Sequence, residues 1–144
     1  MIYTEKTRKA LNLCFEAHKD QFDKSGAPYV FHPYHVAEQM TDEDSIVVAL
    51  LHDVVEDSDC TFDDLLILGF DQCIVDALKL LTHSNSEPYM DYIAKIKANP
   101  VARAVKLADL THNSDLSRLA PETIDDKMLK RVKKYQQAIA LLQL

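Results

Sequence analysis

The sequence predicts an all-α fold, and three observations support this prediction. The 144-residue chain contains only two glycines, and it has few stretches in which β-branched residues alternate with polar ones as they do in strands. Apolar residues instead recur at helical spacing through most of the chain. Residues that favour helix starts precede several of these segments. We therefore expect a bundle of about seven or eight helices that forms a single domain over residues 1–144.

Helix-start signals divide the first half of the chain into segments. The first helix is predicted to run from about Thr4 to Lys19, followed by a loop with a turn at Gly26. Pro33 suits the first turn of a second helix, with His32 at its cap. A capping box that begins at Thr41 introduces a third helix. That helix is apolar nearly all round, which is typical of the centre of a bundle.

The second half of the chain follows the same pattern. Thr61 is predicted to cap a short helix that ends near Gly69, and Phe70-Asp71 begins the next. The remaining helices are predicted to begin at Glu87-Pro88-Tyr89, at Asn99-Pro100 and near Asp125, the last one capped by Thr123 and ending near Leu142.

Composition excludes several classes of function. A formal net charge of −7 argues against broad, charge-driven binding to nucleic acid or to an anionic membrane. Two glycines are too few for a glycine-rich phosphate loop or a dinucleotide fingerprint. We therefore expect any bound phosphate to be held by a metal ion or by side chains, and a small anionic nucleotide remains a possible ligand.

The cysteines and the chain's apolar runs indicate a cytoplasmic protein. Cys14, Cys60 and Cys73 are isolated and odd in number, as expected of reduced thiols. The first residues lack the apolar core of a signal peptide. No apolar run approaches the roughly 20 residues that span a bilayer. We expect neither a membrane nor a nucleic acid as partner, and the oligomeric state is left open.

An unusual combination of residues follows the apolar run of the third helix. His52 and Asp53 come directly after it, and Glu56 and Asp57 follow within one turn. A neighbouring imidazole and carboxylate offer a nitrogen and an oxygen ligand to one divalent cation. On a continuous helix the three carboxylates share a face and repel one another unless a cation or water satisfies them. The alternative interpretation is a solvated helix end.

A second unusual carboxylate, Asp109, lies within an apolar series on the helix that begins at Asn99-Pro100. Burial there is costly unless Asp109 pairs with Lys106 or His112 or binds a metal ion. Polar His32 follows two apolar residues and is either a structural, hydrogen-bonded histidine or a ligand. Together His32, His52-Asp53 and Asp109 offer two imidazoles and two carboxylates from three helices, a set that suits Mn²⁺, Fe²⁺ or Zn²⁺. Open positions on such an ion would admit substrate and water, as in hydrolytic sites.

Three phrases of the sequence resemble a known family. They are Tyr29-Val30-Phe31-His32-Pro33, Ala49-Leu50-Leu51-His52-Asp53-Val54-Val55-Glu56-Asp57 and Lys106-Leu107-Ala108-Asp109. Their order resembles the H…HD…D pattern of the HD-domain metal-dependent phosphohydrolases. The fuller phrases resemble the hydrolase domain of the Rel/Spo alarmone enzymes and their small stand-alone relatives, over roughly residues 5–117. The resemblance implies an all-helical fold, one Mn²⁺, and removal of pyrophosphate from the 3′ position of guanosine tetra- or pentaphosphate.

The resemblance also implies a function for individual residues. Glu56 and Asp57 correspond to the carboxylates that position or activate the attacking water. Lys24, Lys106 and Asn113 are expected to contact the substrate or offset its charge. The residues that correspond to the metal ligands are His32, His52, Asp53 and Asp109.

Two positions depart from the family's usual phrases. Asp23 stands where the family commonly has a basic residue, and Leu110 stands where it usually has arginine. Neither departure touches the expected metal ligands or the carboxylates expected to handle water. Both bear on substrate choice, so two alternatives stay open. One is an HD-family hydrolase of another nucleotide or phosphoester, and the other is a non-catalytic HD sensor that binds a nucleotide.

Overall fold

The protein is described by a computed structural model that covers residues 1–144. It contains eight helices of six or more residues and one four-residue helical turn, α4. In order, the elements are α1 Glu5–His18, α2 Phe31–Glu38, α3 Glu43–Leu51, α4 Val54–Asp57, α5 Phe62–Ile67, α6 Gln72–Leu80, α7 Tyr89–Ile96, α8 Pro100–Asn113 and α9 Asp126–Gln143. Two 3₁₀ turns, Leu116–Arg118 and Pro121–Thr123, connect α8 to α9. The predicted all-α fold is confirmed.

Helix α3 forms the centre of the molecule. Every residue from Ser45 to Leu51 is buried, as its nearly continuous apolar surface predicts. It packs against α1, α2, α6 and α8, while α9 lies against α7 and α8. The C-terminal end of α3 therefore lies inside the bundle, where it meets α2 and α8.

No helix combines the length and the apolar character needed to cross a bilayer.

Most helix starts agree with the sequence, and three predicted caps, at His32, Thr41 and Thr123, are wrong by one or two residues. Helix α3 is capped by Asp42, whose carboxylate accepts a hydrogen bond from the backbone N–H of Ser45 at 2.9 Å, and not by Thr41. Helix α9 is capped by Asp125 and not by Thr123. Aspartate and threonine are both good caps, so neighbouring candidates cannot be separated by residue type alone.

The chain bends at His52-Asp53, where a continuous helix is expected from the sequence. Helix α3 ends at Leu51, and α4 begins at Val54 with Asp53 as its N-terminal cap residue. The backbone carbonyl of Asp53 still accepts a hydrogen bond from the N–H of Asp57 at 3.0 Å. The break places His52 and Asp53 at a corner, so both side chains can face α2 and α8. His32 likewise lies in the first turn of α2 rather than at its cap.

Candidate metal centre and the clefts beside it

Three buried side chains meet at this corner of the bundle. His32 comes from the first turn of α2, His52 follows the last residue of α3, and Asp109 comes from α8. One nitrogen or oxygen atom of each lies within 4.8 Å of the others. The three residues are only 5–6% exposed. The structure thus brings together three of the four expected metal ligands from distant parts of the chain.

Both carboxylate oxygens of Asp109 have polar partners in the protein. Oδ1 lies 2.9 Å from Nε2 of His32 and 3.5 Å from Nε2 of His52, while Oδ2 accepts a hydrogen bond from Lys106 at 2.9 Å. Burial opposes ionisation, but the charge of Lys106, the hydrogen bond with His32 and the proximity of His52 hold the pKa of Asp109 well below its usual range. Asp109 therefore pairs with Lys106 and faces both histidines at the same time.

Asp53 lies at the edge of this cluster. Its Oδ2 is 3.1 Å from Nε2 of His52 and accepts a 2.5 Å hydrogen bond from the hydroxyl of Tyr29. Burial acts to raise the pKa of Asp53, yet the nearby charge of His52 and the hydrogen bond from Tyr29 outweigh it and lower that pKa to about 2. Asp53 is therefore an anion at neutral pH, and it stands beside His52 as the fourth expected ligand.

Hydrogen bonds on the far side of each ring orient the two histidines. Nδ1 of His52 lies 2.5 Å from the carbonyl oxygen of Ala49, and Nδ1 of His32 lies 2.7 Å from Nδ1 of His112. These contacts occupy Nδ1 of each ring and leave Nε2 as the ring atom that faces the carboxylates. Contacts of this kind are typical of histidines that bind metal ions.

The electrostatics of the cluster favour a cation. Nε2 of His52 is buried and has no hydrogen-bond partner of good geometry. Burial opposes a charged imidazole, but Asp53 and Asp109 raise the pKa of His52 well above its ordinary value. The cluster thus attracts positive charge, and its two imidazole nitrogens and two carboxylates are the ligand types that a divalent metal ion accepts. The residues present fit such an ion.

His112 is a contact that the sequence did not predict. Spacing suggested a pair with Asp109, but the ring instead meets Nδ1 of His32. Burial, followed by the nearby charge of His32, lowers the pKa of His112 to about 4, so the ring is neutral and its Nδ1 can accept a hydrogen bond from Nδ1 of His32. The ring of His35 stacks on His112 at a centroid distance of 4.1 Å. A spacing argument within one helix could not find a contact that joins two helices.

Glu56 and Asp57 lie on the exposed side of α4, next to the cluster. Desolvation by the surrounding protein, followed by the charge of Asp53, raises the pKa of both carboxyl groups. Only Glu56 lines a cleft that also contains His52 and Asp53. The two carboxylates expected to handle water are therefore not equivalent in position.

Two clefts flank the cluster. The α7–α9 cleft has a volume of about 240 Å³, and its polar lining residues are His52, Asp53, Glu56, His83, Tyr89, Tyr92, Lys106, Asp109, Lys134 and Tyr135. The α2–α8 cleft has a volume of about 380 Å³ and is lined by residues that include Asp23, Tyr29, His32, Tyr34, His35, His112, Asn113 and Arg118. A recess of about 270 Å³ adjoins the second cleft and contains Lys24.

The expected substrate contacts are divided between the two sides. Lys106 lines the α7–α9 cleft, whereas Asn113 lines the α2–α8 cleft and, with Lys24, the recess beside it. The amide of Asn113 also donates a hydrogen bond to Oδ1 of Asp109 at 3.0 Å. A ligand that contacted all three residues would therefore span the metal centre.

The structure shows the surroundings of Asp23 and Leu110, the two residues that depart from the family's usual phrases. Oδ1 of Asp23 accepts hydrogen bonds from the backbone N–H groups of Ser25 and Ala27, which holds the turn at Gly26, where φ is +86°. Its Oδ2 lies 3.7 Å from Arg118, a cation contributed by the turn after α8. Leu110 is 1% exposed and packs in the core, so it faces neither cleft.

Comparison with known proteins identifies the family. No model of a protein family matches the chain. The chain is 34% identical over 143 residues to the guanosine-3′,5′-bis(diphosphate) 3′-pyrophosphohydrolase MESH1 of Xenopus tropicalis, with 90% of this chain and 78% of that protein covered. It is also 34% identical over 128 residues to MESH1 of Danio rerio, which covers 79% of this chain and 71% of that protein. The chain belongs to the MESH1 family.

More distant similarities agree with membership of the MESH1 family. The chain is 31% identical over 135 residues to the bifunctional (p)ppGpp synthase/hydrolase SpoT of Escherichia coli, and the match covers 82% of this chain but only 19% of SpoT. A solved structure described as a metazoan SpoT orthologue that hydrolyses ppGpp superposes with a TM-score of 0.77 at 25% identity, covering 99% of this chain and 88% of that one. The predicted resemblance to stand-alone HD-type hydrolases is confirmed, and the chain is a member of a family of hydrolytic enzymes.

Proposed function

We propose that the protein is a Mn²⁺-dependent guanosine-3′,5′-bis(diphosphate) 3′-pyrophosphohydrolase. It would convert guanosine tetraphosphate to guanosine diphosphate and pyrophosphate, and the pentaphosphate to guanosine triphosphate and pyrophosphate. The observation that carries the proposal is the convergence of His32, His52 and Asp109 within 4.8 Å, with Asp53 beside them. Membership of the MESH1 family supports the choice of substrate.

In this proposal His32, His52, Asp53 and Asp109 hold the metal ion. When bound, a divalent ion there polarises a phosphoryl oxygen and lowers the pKa of water. Lys106 and Tyr29 keep Asp109 and Asp53 in place through the hydrogen bonds described above. Mn²⁺ suits the mixture of nitrogen and oxygen ligands.

Glu56 takes a proton from the attacking water, and Asp57 assists from the same turn. Their raised pKa values make them stronger bases than an ordinary carboxylate. The water oxygen forms a bond to the phosphorus attached to the ribose 3′ oxygen, and the bond between that phosphorus and the 3′ oxygen breaks. The 3′ oxygen leaves with a proton, and the attacking oxygen ends in pyrophosphate.

The substrate would lie across the metal centre, with Lys24 and Asn113 on the nucleoside side and Lys106 near the phosphates. A net charge of −7 supports a small nucleotide rather than a nucleic acid as the bound anion, because any attraction for phosphate is confined to the local cations. We assign the protein to the cytoplasm. Three free cysteines support a reducing compartment.

Release of pyrophosphate from guanosine tetraphosphate tests the proposal. The Mn²⁺-loaded protein should release it, and the Asp53→Ala variant should fall to the level of the metal-free protein. Asp59→Ala is a matched control, because Asp59 is an exposed aspartate that lines neither cleft. Equal activity of the Asp53→Ala and Asp59→Ala variants would contradict the proposed site.

One observation favours a second candidate function, the hydrolysis of another nucleotide or phosphoester. The guanidinium of Arg118 is paired with Asp23 and also donates to the backbone carbonyl of His112 at 3.0 Å. This cation is therefore partly neutralised where the α2–α8 cleft would receive a nucleoside. Turnover of other nucleotides in a panel, without turnover of guanosine tetraphosphate, would support this candidate. Nucleotide binding without any turnover would instead support a sensor.

A further inference from the structure

The α7–α9 cleft contains polar residues that holding a metal ion does not explain. His52, Asp53 and Asp109 form one side of the cleft, and Glu56 lies on the same lining. The opposite side is formed by residues of α7 and α9, among them Tyr89 and Lys134, neither of which contacts the cluster. A polar space of about 240 Å³ beside a phosphate-cleaving centre has the character of a binding site for part of the substrate.

Two lysines, Lys106 and Lys134, line this cleft. The Nζ atom of Lys106 donates to Asp109 and lies 5.4 Å from the ring centroid of Tyr92, so its position is fixed. The Nζ atom of Lys134 lies 4.4 Å from the ring centroid of Tyr89 and has no carboxylate within 4.0 Å. The charge of Lys106 is compensated by Asp109, whereas that of Lys134 has no anionic partner in the protein.

Tyr89 adds an unused hydrogen-bond donor. Its hydroxyl oxygen is buried and has no hydrogen-bond partner in the protein. The neighbouring Tyr92 differs, since its hydroxyl donates to the carbonyl of Leu81 at 2.7 Å. A buried, unpaired hydroxyl is costly unless a ligand or another polar group satisfies it. Tyr89 and Lys134 line the same cleft, and a phenol hydroxyl and an ammonium group are both suited to a phosphate oxygen.

The chemistry of the reaction limits where the terminal phosphate can lie. Water attacks phosphorus from the side opposite the departing ribose 3′ oxygen, so a water held by Glu56 in the α7–α9 cleft puts the ribose towards the α2–α8 cleft. The terminal phosphate is attached through a lateral oxygen of the phosphorus under attack. It must therefore lie beside the metal centre and not beyond the ribose.

We propose that the α7–α9 cleft binds the terminal phosphate of the 3′-diphosphate, with Tyr89 and Lys134 as the residues that recognise it. This inference rests on the proposed function. It assigns the preference of the enzyme for a 3′-diphosphate over a 3′-monophosphate to this cleft. Lys106 contributes charge from the side of the cleft formed by α8. The ring of Tyr89 carries its hydroxyl and also supports the Lys134 ammonium, so the two residues act together.

Three related nucleotides test the assignment. They are guanosine with diphosphates at both positions, with a 3′-monophosphate and a 5′-diphosphate, and with a 3′-diphosphate and a 5′-monophosphate. In the Tyr89→Phe and Lys134→Met variants, kcat/KM for the first relative to the second should fall about tenfold or more, the size expected for a lost hydrogen bond to a charged group. The preference between 5′-diphosphate and 5′-monophosphate should stay as in the unmodified protein.

Two control variants make the same substitutions at a lysine and a tyrosine outside the cleft. Lys133→Met removes an exposed lysine next in sequence that lines neither cleft, and Tyr3→Phe removes the hydroxyl of a tyrosine that is 62% exposed. An unchanged 3′ preference in both test variants would overturn the proposal. A changed 5′ preference would overturn it too, because the cleft would then hold the phosphates at the other end of the nucleotide.

A binding measurement distinguishes a failure of this proposal from a failure of the proposed function. Calorimetric titration of the protein loaded with one equivalent of Mn²⁺ should show tighter binding of inorganic pyrophosphate than of orthophosphate. Tyr89→Phe and Lys134→Met should reduce that preference about tenfold, even if guanosine nucleotides prove not to be the substrate. Absence of the preference in the unmodified protein, or its full retention in both variants, would rule the subsite out.

Discussion

At the scale of single residues, the candidate centre depends on two side chains and one backbone carbonyl that are not themselves expected ligands. His112 holds Nδ1 of His32, Ala49 holds Nδ1 of His52, and Tyr29 holds Asp53. Each contact fixes the direction in which a ligand atom points. Such supporting contacts contribute to metal affinity because the ligands need not be ordered when the ion binds.

Replacing His112 should weaken metal binding. We expect the His112→Ala variant to bind Mn²⁺ about 10–100-fold more weakly, the usual effect of losing a contact that orients a ligand. His35→Ala is the control, because His35 stacks on His112 but does not bond to His32. Isothermal titration of Mn²⁺ into both variants measures the difference. Equal affinities would show that the His32–His112 contact does not orient the ligand.

The raised pKa values of Glu56 and Asp57 predict the acidic limb of the pH–rate profile. A general base must be deprotonated, so kcat should fall as the pH is lowered through the raised pKa. The fall should therefore begin above the ordinary glutamate value of about 4.3. The profile is measured at saturating substrate, with bound Mn²⁺ determined at each pH. A fall that follows loss of metal alone would contradict a base of this kind.

The expected ligands could be predicted from the sequence, but few of their supporting contacts could. His52-Asp53 and Asp109 were detectable because charged or polar residues interrupt apolar series, where burial has a cost. Lys106 was detectable because it lies three residues from Asp109 on one helix. His112, Tyr89 and Lys134 were not predicted in this way, because their contacts join helices far apart in the sequence.

At the scale of helices, the centre depends on where α3 ends. The apolar character of α3 predicted its central position, but not the bend at His52-Asp53. Local sequence does not reveal this bend, because nothing in Leu51-His52-Asp53-Val54 forbids a helix. In the folded chain His52 meets His32 of α2 and Asp109 of α8. Helix α8 was predicted more fully, since Asn99-Pro100 gives its start and the i+3 and i+4 spacing aligns Lys106, Asp109 and Asn113.

Truncation of the central helix should destabilise the whole protein. Leu50 is fully buried in α3, so Leu50→Ala should lower the free energy of unfolding by about 2–5 kcal/mol through lost apolar burial and a remaining cavity. Leu129→Ala is the control, because Leu129 is 48% exposed on α9 and its truncation should cost less than about 0.5 kcal/mol. Urea denaturation followed by circular dichroism compares the two. Similar losses would contradict the central position of α3.

At the scale of the whole molecule, the expected ligands join three separate parts of the bundle. His32 belongs to α2, His52-Asp53 to the corner after α3, and Asp109 to α8. These segments are adjacent only in the folded chain, so a cation bound by all of them favours the native state over the unfolded one.

Metal binding should therefore raise thermal stability. At a free Mn²⁺ concentration of 100 times the dissociation constant, the native state gains about 2.7 kcal/mol. For a chain of this size the gain corresponds to a rise in Tm of several degrees, about 2–4 °C for each kcal/mol. Scanning calorimetry with Mn²⁺ and then with a chelator measures the shift. The Asp109→Ala variant should show a much smaller shift, and an undiminished one would place the cation elsewhere.

The most direct test of the account is the initial rate of pyrophosphate release while metal-free protein is titrated with Mn²⁺ at saturating guanosine tetraphosphate. One site built from His32, His52, Asp53 and Asp109 predicts a rate that rises in proportion to the added metal and levels off at one cation per chain. Full-rate release without any divalent cation, or no release at any Mn²⁺ level, would contradict it.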